Sequence, residues 1–322
     1  MDSNKSFALI LVNLGTPDSP DEEDIRRWLK QFLSDPRVVD FPRWLWLPIL
    51  NRIILKTRPK KLVENYSMIW GKTAGPIVEN TLALAEKIQK LMPGNINVIP
   101  AMTYGNPSIP KAFEEAKSCD EIIVLPLLPQ YTGATTGAIQ DQIIPLADTL
   151  DSDKPTKIIN NYHDDPGYIA AIAETIIQSE SFRKETPKLI FSFHGIPQSQ
   201  SKRGDPYEKQ CAKTAKMIAN KLELEQNQWK MTFQSRFGPF PWLKPYTDRT
   251  MKELPGEGIE NVLVVCPGFS TDCLETIEEI EIQNREFFLA AGGKSFSYVK
   301  ALNDSDAHAE LLRRIVLRNL AN

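Results

Sequence analysis

The sequence lacks several features that mark common classes of site. None of its four cysteines belongs to a Cys-x-x-Cys pair, which argues against a zinc knuckle or a disulfide framework. No Gly-x-Gly-x-x-Gly follows a strand-like run, so the fingerprint of a dinucleotide site is missing. Gly71-Lys-Thr73 resembles the end of a phosphate loop, but the position that needs the first glycine is Tyr66. The sequence therefore gives no reason to expect a nucleotide.

Strong charge and long apolar runs are also missing. The formal net charge is −3 with 25% charged residues, so we expect no nucleic-acid partner. Residues 1–5 lead into a strand-like run without the apolar segment of a secretory leader, which favours a cytoplasmic protein. The most apolar surface segment, residues 41–55, is interrupted by Pro48, Asn51 and Arg52. It is too short and too broken to span a bilayer.

Strand-like and helical patterns alternate along most of the chain, which predicts α/β architecture with parallel sheets. At 322 residues the chain exceeds one ordinary core, so we expect two similar doubly wound, Rossmann-like domains with a cleft between them. A polar stretch ending at Pro155 suggests the boundary. The predicted domains are residues 1–153 and 154–302, and a helix within 303–322 packs back on the body. The strand-like runs are Phe7–Val12, Ile96–Ala101, Glu121–Leu128, Thr156–Asn160, Leu189–Phe193, Trp229–Gln234 and Asn261–Cys266.

His194, one of only three histidines, directly follows the apolar run Leu189–Phe193. Such a short run, rich in β-branched and aromatic residues, is typical of a strand buried on both faces. A turn at Gly195 and Pro197 leaves the imidazole at the carboxyl edge of the sheet, where doubly wound folds place reactive groups. From this segment alone, a structural histidine and a functional one are equally good interpretations.

An acidic segment follows the strand-like run that ends at Cys266. In a helix capped by Ser270, Thr271 or Asp272, the acids Asp272, Glu275 and Glu279 fall at i, i+3 and i+7 on one face. A solvated face explains Glu278 and Glu281 most simply, whereas a first-turn carboxylate at the sheet edge is placed for function. We expect Glu275 and His194 to face one cleft. Together they suit proton transfer or weak, transient binding of Fe(II) or Zn(II).

The chain resembles the ferrochelatases, enzymes that insert Fe(II) into protoporphyrin IX to form protohaem and release two protons. The resemblance runs nearly from end to end, and its motifs are highly specific together although each alone is weak. They are Leu11-Val-Asn-Leu-Gly-Thr-Pro17, Pro129-Gln-Tyr131 with Thr135-Thr-Gly137, Ser192-Phe-His-Gly-Ile-Pro197, Gln234-Ser-Arg-Phe-Gly-Pro-Phe-Pro-Trp242 and Ser270-Thr-Asp-Cys-Leu-Glu275.

The resemblance implies a role for individual residues. His194 matches the catalytic histidine of the family and Glu275 its paired glutamate, and both are metal ligands by this resemblance. Asp272 and Glu279 are further metal candidates in the acidic line that continues from Glu275. Five residues match positions that bind the porphyrin, and Tyr104 lies near them. The five are Leu14, Tyr66, Thr103, Tyr131 and Trp242.

Departures from the family pattern carry their own expectations. Animal members place a cysteine cluster for a 2Fe-2S centre near the carboxyl terminus, whereas no cysteine follows Cys273 here. We therefore expect a bacterial-type member with no iron–sulfur cluster and no permanently bound cofactor, with Fe(II) as a substrate. Cys273 stands where many members have a second histidine, and Gly75 where relatives often have serine.

The implied partners are protoporphyrin IX and ferrous iron in the last step of haem biosynthesis. Residues 41–55 match the apolar lip of the family, and we expect either a peripheral contact with the inner face of the membrane or a self-contained hydrophobic lid. A contact with the preceding enzyme of haem synthesis is a further expectation. The alternatives are a coproporphyrin or sirohydrochlorin chelatase and a tetrapyrrole carrier without catalysis.

Overall fold

A computed structural model describes residues 5–149, 154–238 and 240–320. The strands in these ranges are β1 (Phe7–Asn13), β2 (Ile96–Met102), β3 (Glu121–Pro126), β4 (Thr156–Ile158), β5 (Lys188–His194), β6 (Trp229–Gln234), β7 (Asn261–Val265) and β8 (Ser295–Val299). The α-helices are α1 (Glu22–Ser34), α2 (Arg43–Ile49), α3 (Leu55–Ile69), α4 (Pro76–Leu91), α5 (Ile109–Ala116), α6 (Ala138–Ala147), α7 (Pro166–Gln178), α8 (Glu180–Glu185), α9 (Gln198–Lys202), α10 (Tyr207–Lys221), α11 (Thr247–Glu253), α12 (Arg285–Ala290) and α13 (Asp306–Leu320). Residues Leu50–Ile54, Gly133–Gly137 and Glu275–Asn284 are π-helical, and Leu254–Glu257 form a 3₁₀ turn.

The strands form two four-stranded sheets of the same topology. The strand orders are β2-β1-β3-β4 and β6-β5-β7-β8, and every pairing is parallel. This arrangement confirms the predicted α/β fold with two similar doubly wound sheets. In each sheet the strand order reverses once, between β1 and β3 or between β5 and β7. Doubly wound folds bind ligands beyond the carboxyl ends of the strands at such a reversal.

The chain divides into two compact units, each containing one sheet. One unit consists of two segments, the residues up to Asn161 and those from Asp304 onward. The other unit is Tyr162–Asn303. We predicted a change of domain at residue 154, before β4. The structure places it after β4 because this strand pairs with β3, in register from Ile122↔Thr156. Helix α13 packs against α4 in the first unit.

The central strands of both sheets are buried on both faces, as their uninterrupted apolar sequences predict. All seven residues of β1 are buried, and in β5 the five residues between Lys188 and His194 are buried. Strand β8 was missed by sequence reasoning. It is an edge strand with two buried residues out of five, and its alternation of serine with apolar residues gave a weak signal.

Candidate active site

Strand β5 carries His194 to the carboxyl edge of the second sheet, beside the strand reversal. His194 pairs in register with Gln234 at the end of β6. The next residue, Gly195, donates its backbone N–H to the Gln234 carbonyl oxygen at 2.8 Å. A Cβ at Gly195 would lie 2.9 Å from that oxygen and 3.2 Å from the Trp242 ring, so glycine permits this close approach.

The His194 ring is half-buried, and one of its nitrogens is committed to the backbone. Its Nδ1 lies 2.7 Å from the carbonyl oxygen of Gly195. Because a carbonyl oxygen only accepts hydrogen bonds, Nδ1 carries the proton in this contact. In the neutral ring, Nε2 therefore keeps its lone pair. That nitrogen suits a proton acceptor or a metal ligand.

Two aromatic rings flank His194. The ring centroid of Trp242 lies 6.4 Å from that of His194, and the ring centroid of Phe269 lies 6.5 Å from it. Trp242 is held by an antiparallel bridge to Pro197 and by its indole N–H, which donates to the Phe237 carbonyl oxygen at 2.7 Å. The structure thus places the ring of Trp242 near that of His194. Phe269 was missed, although its place just after β7 was a signal.

The acidic segment after β7 forms a different helix from the one predicted. It begins as the π-helix Glu275–Asn284, and the residue before it, Leu274, makes no side-chain cap. The prediction of capping by Ser270, Thr271 or Asp272 was therefore wrong, and Asp272 lies outside the helix. Hydrogen bonds in a π-helix run from i to i+5, so the i, i+3, i+7 spacing of an α-helical face does not apply. Such helical irregularities often mark functional sites.

Glu279 is the most constrained carboxylate of this helix. Its oxygens accept hydrogen bonds from the Ser235 backbone N–H at 2.8 Å and from the Ser235 hydroxyl. Burial raises the pKa of the Glu279 carboxyl, as does the nearby charge of Glu275, against the opposite effects of the Ser235 hydrogen bonds and of His194. Glu279 therefore interacts electrostatically with both His194 and Glu275.

Gln234 connects the strands to the π-helix. Its side chain is only 3% exposed. The amide nitrogen donates to the Glu275 backbone carbonyl oxygen at 2.7 Å and lies 3.4 Å from Glu279 Oε2. The amide oxygen accepts from the Ser192 hydroxyl at 2.8 Å, and the Cys266 thiol lies 3.6 Å away. Sequence patterns did not single out Gln234 or Ser235, although both lie in the motif from Gln234 to Trp242.

Asp272 is occupied by structural hydrogen bonds. Its carboxylate accepts from Tyr298 Oη at 2.7 Å, Asn303 Nδ2 at 2.7 Å, Thr276 Oγ1 at 3.0 Å and the Ala301 backbone N–H at 3.3 Å. Three of these donors bind Oδ1 and one binds Oδ2. A cation at Oδ1 would have to displace a donor, so the geometry favours a structural role for Asp272.

Cys273 is a buried residue beside Glu275, at 3% exposure. Burial raises the pKa of its thiol well above the usual value, and so do the charge of Glu275 and the hydrogen bond to it. The neutral thiol is therefore the stable form, whereas metal binding needs the thiolate. Within the described residues, no group of three or more histidine, cysteine, aspartate or glutamate side chains is placed to hold a metal ion.

Three of the predicted substrate residues follow strands of the first sheet. Leu14 comes directly after β1 and Thr103 directly after β2. The Thr103 N–H donates to the Asn13 carbonyl oxygen at 2.8 Å, and the Tyr104 N–H to the Leu14 carbonyl oxygen at 3.0 Å. These bonds join the two loops. Tyr131, beyond β3, is half-buried, and its hydroxyl lies 3.4 Å from Gln140 Oε1.

Tyr66 and Tyr104 are more deeply buried than substrate contacts need to be. Tyr66 in α3 is 5% exposed and meets Trp28 and Trp70 edge-on, each with ring centroids 6.5 Å apart. Tyr104 is 2% exposed, and its hydroxyl donates to Asp35 at 2.8 Å. Both rings therefore stabilise the first unit in the structure described.

The segment 41–55 comprises α2, a π-helical turn and the start of α3, and we call it the lip. Its exposed apolar residues include Trp44, at 76% exposure, and Ile53, at 55%. Trp46, in contrast, is 6% exposed, and its indole N–H donates to the Leu33 carbonyl oxygen at 2.7 Å. Trp46 therefore packs inside the protein and is not part of the exposed surface of the lip. Within the ranges described, no helix combines the length and apolar character needed to cross a membrane.

Comparisons of the sequence with known proteins match one family over nearly the whole chain. The sequence model of the family described as Ferrochelatase matches residues 6–320. A protein named Ferrochelatase from Alcanivorax borkumensis is 45% identical, covering 98% of this chain and 94% of the relative. Another from Haemophilus influenzae strain PittEE is 45% identical and covers 100% of both chains.

Solved structures with the same architecture are more distant in sequence. SirB from Bacillus subtilis with Fe3+ superposes with a TM-score of 0.58 at 13% identity, covering 98% of each chain. CbiX, a terminal enzyme of sirohaem biosynthesis in denitrifying bacteria, superposes with a TM-score of 0.52 at 14% identity, covering 97% of this chain and 98% of the other. At such low identity these structures support the fold alone.

Proposed function

The chain belongs to the ferrochelatase family, and on this premise we propose that His194 and Glu275 form the centre at which it inserts Fe(II) into protoporphyrin IX. The reaction is that of a metal-chelating lyase and yields protohaem. The observation that carries the assignment is the placement of His194 at the end of β5 and of the π-helix after β7, on the two sides of the strand reversal. This is the position at which doubly wound sheets bind ligands.

The geometry of His194 suits proton transfer. Metal insertion requires two pyrrole N–H protons to leave the macrocycle as the metal replaces them. The hydrogen bond from Nδ1 to the Gly195 carbonyl leaves Nε2 as the accepting atom. The same bond orients the ring and stabilises the charge that forms when Nε2 takes a proton. Nε2 can equally bind a metal ion, so the structure is compatible with either role of His194.

The π-helix supplies carboxylates for the protons and the ferrous ion that move during the reaction. Glu275 opens the helix, and Glu279 interacts electrostatically with both Glu275 and His194. Carboxylates beside an imidazole can receive the protons or hold the ferrous ion through oxygen ligands. We propose Glu275 and Glu279 for these tasks and assign Asp272 a structural role, because four donors already bind its carboxylate.

Apolar walls supply the contact with the flat porphyrin. The ring centroids of Trp242 and Phe269 lie 6.4 Å and 6.5 Å from that of His194. Binding energy from apolar contacts far from the reacting nitrogens can bend the ring towards the transition state. In the first unit, Leu14 and Tyr131 are the candidates for substrate contact, whereas Thr103 is 2% exposed and its hydroxyl donates to the Asn13 carbonyl oxygen at 3.1 Å. Tyr66 contributes only where substrate binding opens its aromatic cluster.

Ferrous iron is a substrate here, and no resident cofactor is part of the proposal. Weak, transient binding by an imidazole and carboxylates fits an ion that must leave the protein with the product.

We propose that the lip brings the protein to the inner face of the membrane from the cytoplasm. Its exposed Trp44 and Ile53 are apolar, and Arg52, Lys56 and Lys60 are exposed beside them. This combination of apolar and basic side chains is typical of surfaces that bind anionic bilayers. A poorly soluble porphyrin would then pass to the site from the membrane or from the preceding enzyme of haem synthesis.

The decisive experiment is metal insertion under anaerobic conditions. Purified protein is mixed with protoporphyrin IX and Fe(II) or Zn(II), and the shift of the Soret band is followed. We expect a rate far above the uncatalysed one, and parallel reactions with coproporphyrin III and sirohydrochlorin should be slower. A rate no higher than that without protein would refute catalysis and favour a tetrapyrrole carrier.

A further inference from the structure

Ser235 adopts a backbone conformation that serine rarely takes. Its φ angle is +63°, in the left-handed region. A non-glycine residue pays for this conformation in free energy, and such residues persist where the surrounding structure holds them. Ser235 directly follows β6, whose last residue, Gln234, is in register with His194. The strained residue therefore lies one position beyond the histidine on the neighbouring strand.

This conformation aims two donors of one residue at one carboxylate. The Ser235 backbone N–H donates to Glu279 Oε1 at 2.8 Å. The Ser235 hydroxyl donates to Glu279 Oε2. Two donors on the two oxygens fix the rotation of the carboxylate as well as its position, because turning it would break at least one bond.

Gln234 binds the backbone of the π-helix that carries the Glu279 carboxylate. Its amide nitrogen donates to the Glu275 carbonyl oxygen at 2.7 Å. Its amide oxygen accepts from Ser192, which lies two residues before His194 on the same face of β5. Gln234 therefore connects the start of the π-helix to β5 by hydrogen bonds, while Ser235 orients the Glu279 side chain. We call these two residues the Glu279 clamp.

We propose that Ser235 is a positioning residue for metal insertion, whose paired hydrogen bonds hold the Glu279 carboxylate in the orientation that it needs beside His194 and Glu275. The proposal rests on the proposed function. Ser235 acts on the reaction only through Glu279 and needs no contact with substrate for this role. Preorganised groups spare the enzyme a reorganisation during the reaction.

The proposal predicts a change in kcat without a comparable change in KM. Losing the hydroxyl should slow the step in which metal enters and protons leave, and so lower kcat. It should leave the apolar contacts with the porphyrin intact, so KM for protoporphyrin IX should change less than about twofold. A general loss of folding would instead reduce the amount of active enzyme and the thermal midpoint.

Two substitutions remove the hydroxyl, and they differ in how well they tolerate the left-handed backbone conformation. Ser235→Gly removes it and tolerates the left-handed conformation, whereas Ser235→Ala removes it and retains the Cβ. We expect both to lower kcat for Zn(II) insertion about tenfold, the size of effect expected for one hydrogen bond to a charged group. The matched control is Ser181→Ala. Ser181 also lies in the second unit and donates to a glutamate, Glu185, at 3.3 Å, but in α8, which precedes the amino end of β5.

A double-mutant cycle decides whether Ser235 acts through Glu279. In a Glu279→Gln background, Ser235→Gly should change kcat less than about twofold, because the partner carboxylate is already gone. A tenfold loss in both backgrounds would overturn the proposal, and so would unchanged kcat in the single variants. The wild-type rate is measured in the same series. No insertion by the wild type would refute the proposed function itself, whereas an active wild type with an inert Ser235 would refute only the clamp.

Discussion

The side chain of Gln234 donates a hydrogen bond to the backbone carbonyl oxygen of Glu275 at 2.7 Å. It joins the end of β6, where the backbone meets His194, to the first residue of the π-helix. The histidine and the acidic helix are therefore fixed to each other through a buried amide.

Replacing His194 separates an enzyme from a carrier. His194→Ala should lower the rate of Zn(II) insertion at least about 100-fold, the contribution typical of a general base. Protoporphyrin IX should still bind, since Trp242 and Phe269 remain, and quenching of tryptophan fluorescence measures this binding. His163→Asn serves as the matched control, because it removes a histidine that lies before α7. Full activity of His194→Ala would contradict the assignment.

Asp272 should contribute to stability rather than to metal binding. Asp272→Ala leaves Tyr298, Asn303 and Thr276 without their acceptor, and we expect the free energy of unfolding to fall by about 3 kcal/mol. Urea denaturation followed by circular dichroism measures the change. As a control, Asp306→Ala removes a carboxylate whose side chain is 94% exposed and pairs with Lys87 at 3.2 Å, and it should lower stability by no more than about 1 kcal/mol. Wild-type stability of Asp272→Ala, with loss of metal insertion only, would restore Asp272 as a ligand.

The lip should bind anionic bilayers through its exposed residues. Trp44→Ser combined with Ile53→Ser should weaken co-sedimentation with phosphatidylserine-containing vesicles at least about tenfold, because two apolar side chains can no longer enter the interface. Ile144→Ser is the control, since Ile144 is 53% exposed in α6, much like Ile53 at 55% in the lip. Trp46 is unsuitable for this test because its ring belongs to the core. Equal sedimentation of all variants would favour a self-contained lid.

The pH dependence of stability should include a contribution from His163. Burial lowers its pKa below the usual 6.5, with Lys213 adding to this effect and Asp164 opposing it. The unfolded chain therefore binds a proton more readily than the folded protein as pH falls below about 6.5, and stability is lost in that direction. His163→Asn should show a smaller loss of unfolding free energy between pH 7 and pH 5 in urea titrations. An identical loss in both proteins would contradict this contribution.

Sequence reasoning succeeded where the pattern is local. The run Leu189–Phe193 is apolar except for Ser192, and burial on both faces of a strand favours that composition. The turn after it places His194 at the sheet edge, as the structure confirms. The π-helix could not be anticipated, because the sequence from Glu275 onward is compatible with either hydrogen-bond pattern. Contacts from Gln234 and Ser235, which lie some forty residues earlier, hold it in the observed form.

By itself, the sequence determined the two parallel sheets, the strand that carries His194, the acidic segment with Glu275 and the family to which these motifs belong. Only the tertiary structure decided which hydrogen-bond partners each carboxylate of the acidic segment has. Both Asp272 and Glu279 belong to the acidic segment, but Asp272 is bound by Tyr298, Asn303, Thr276 and the Ala301 backbone, whereas Glu279 is held by Ser235. The same holds for Trp44 and Trp46, two residues apart, of which one is exposed and one buried. Hydrogen-bond partners and burial come from segments distant in the chain, and local sequence patterns do not contain them.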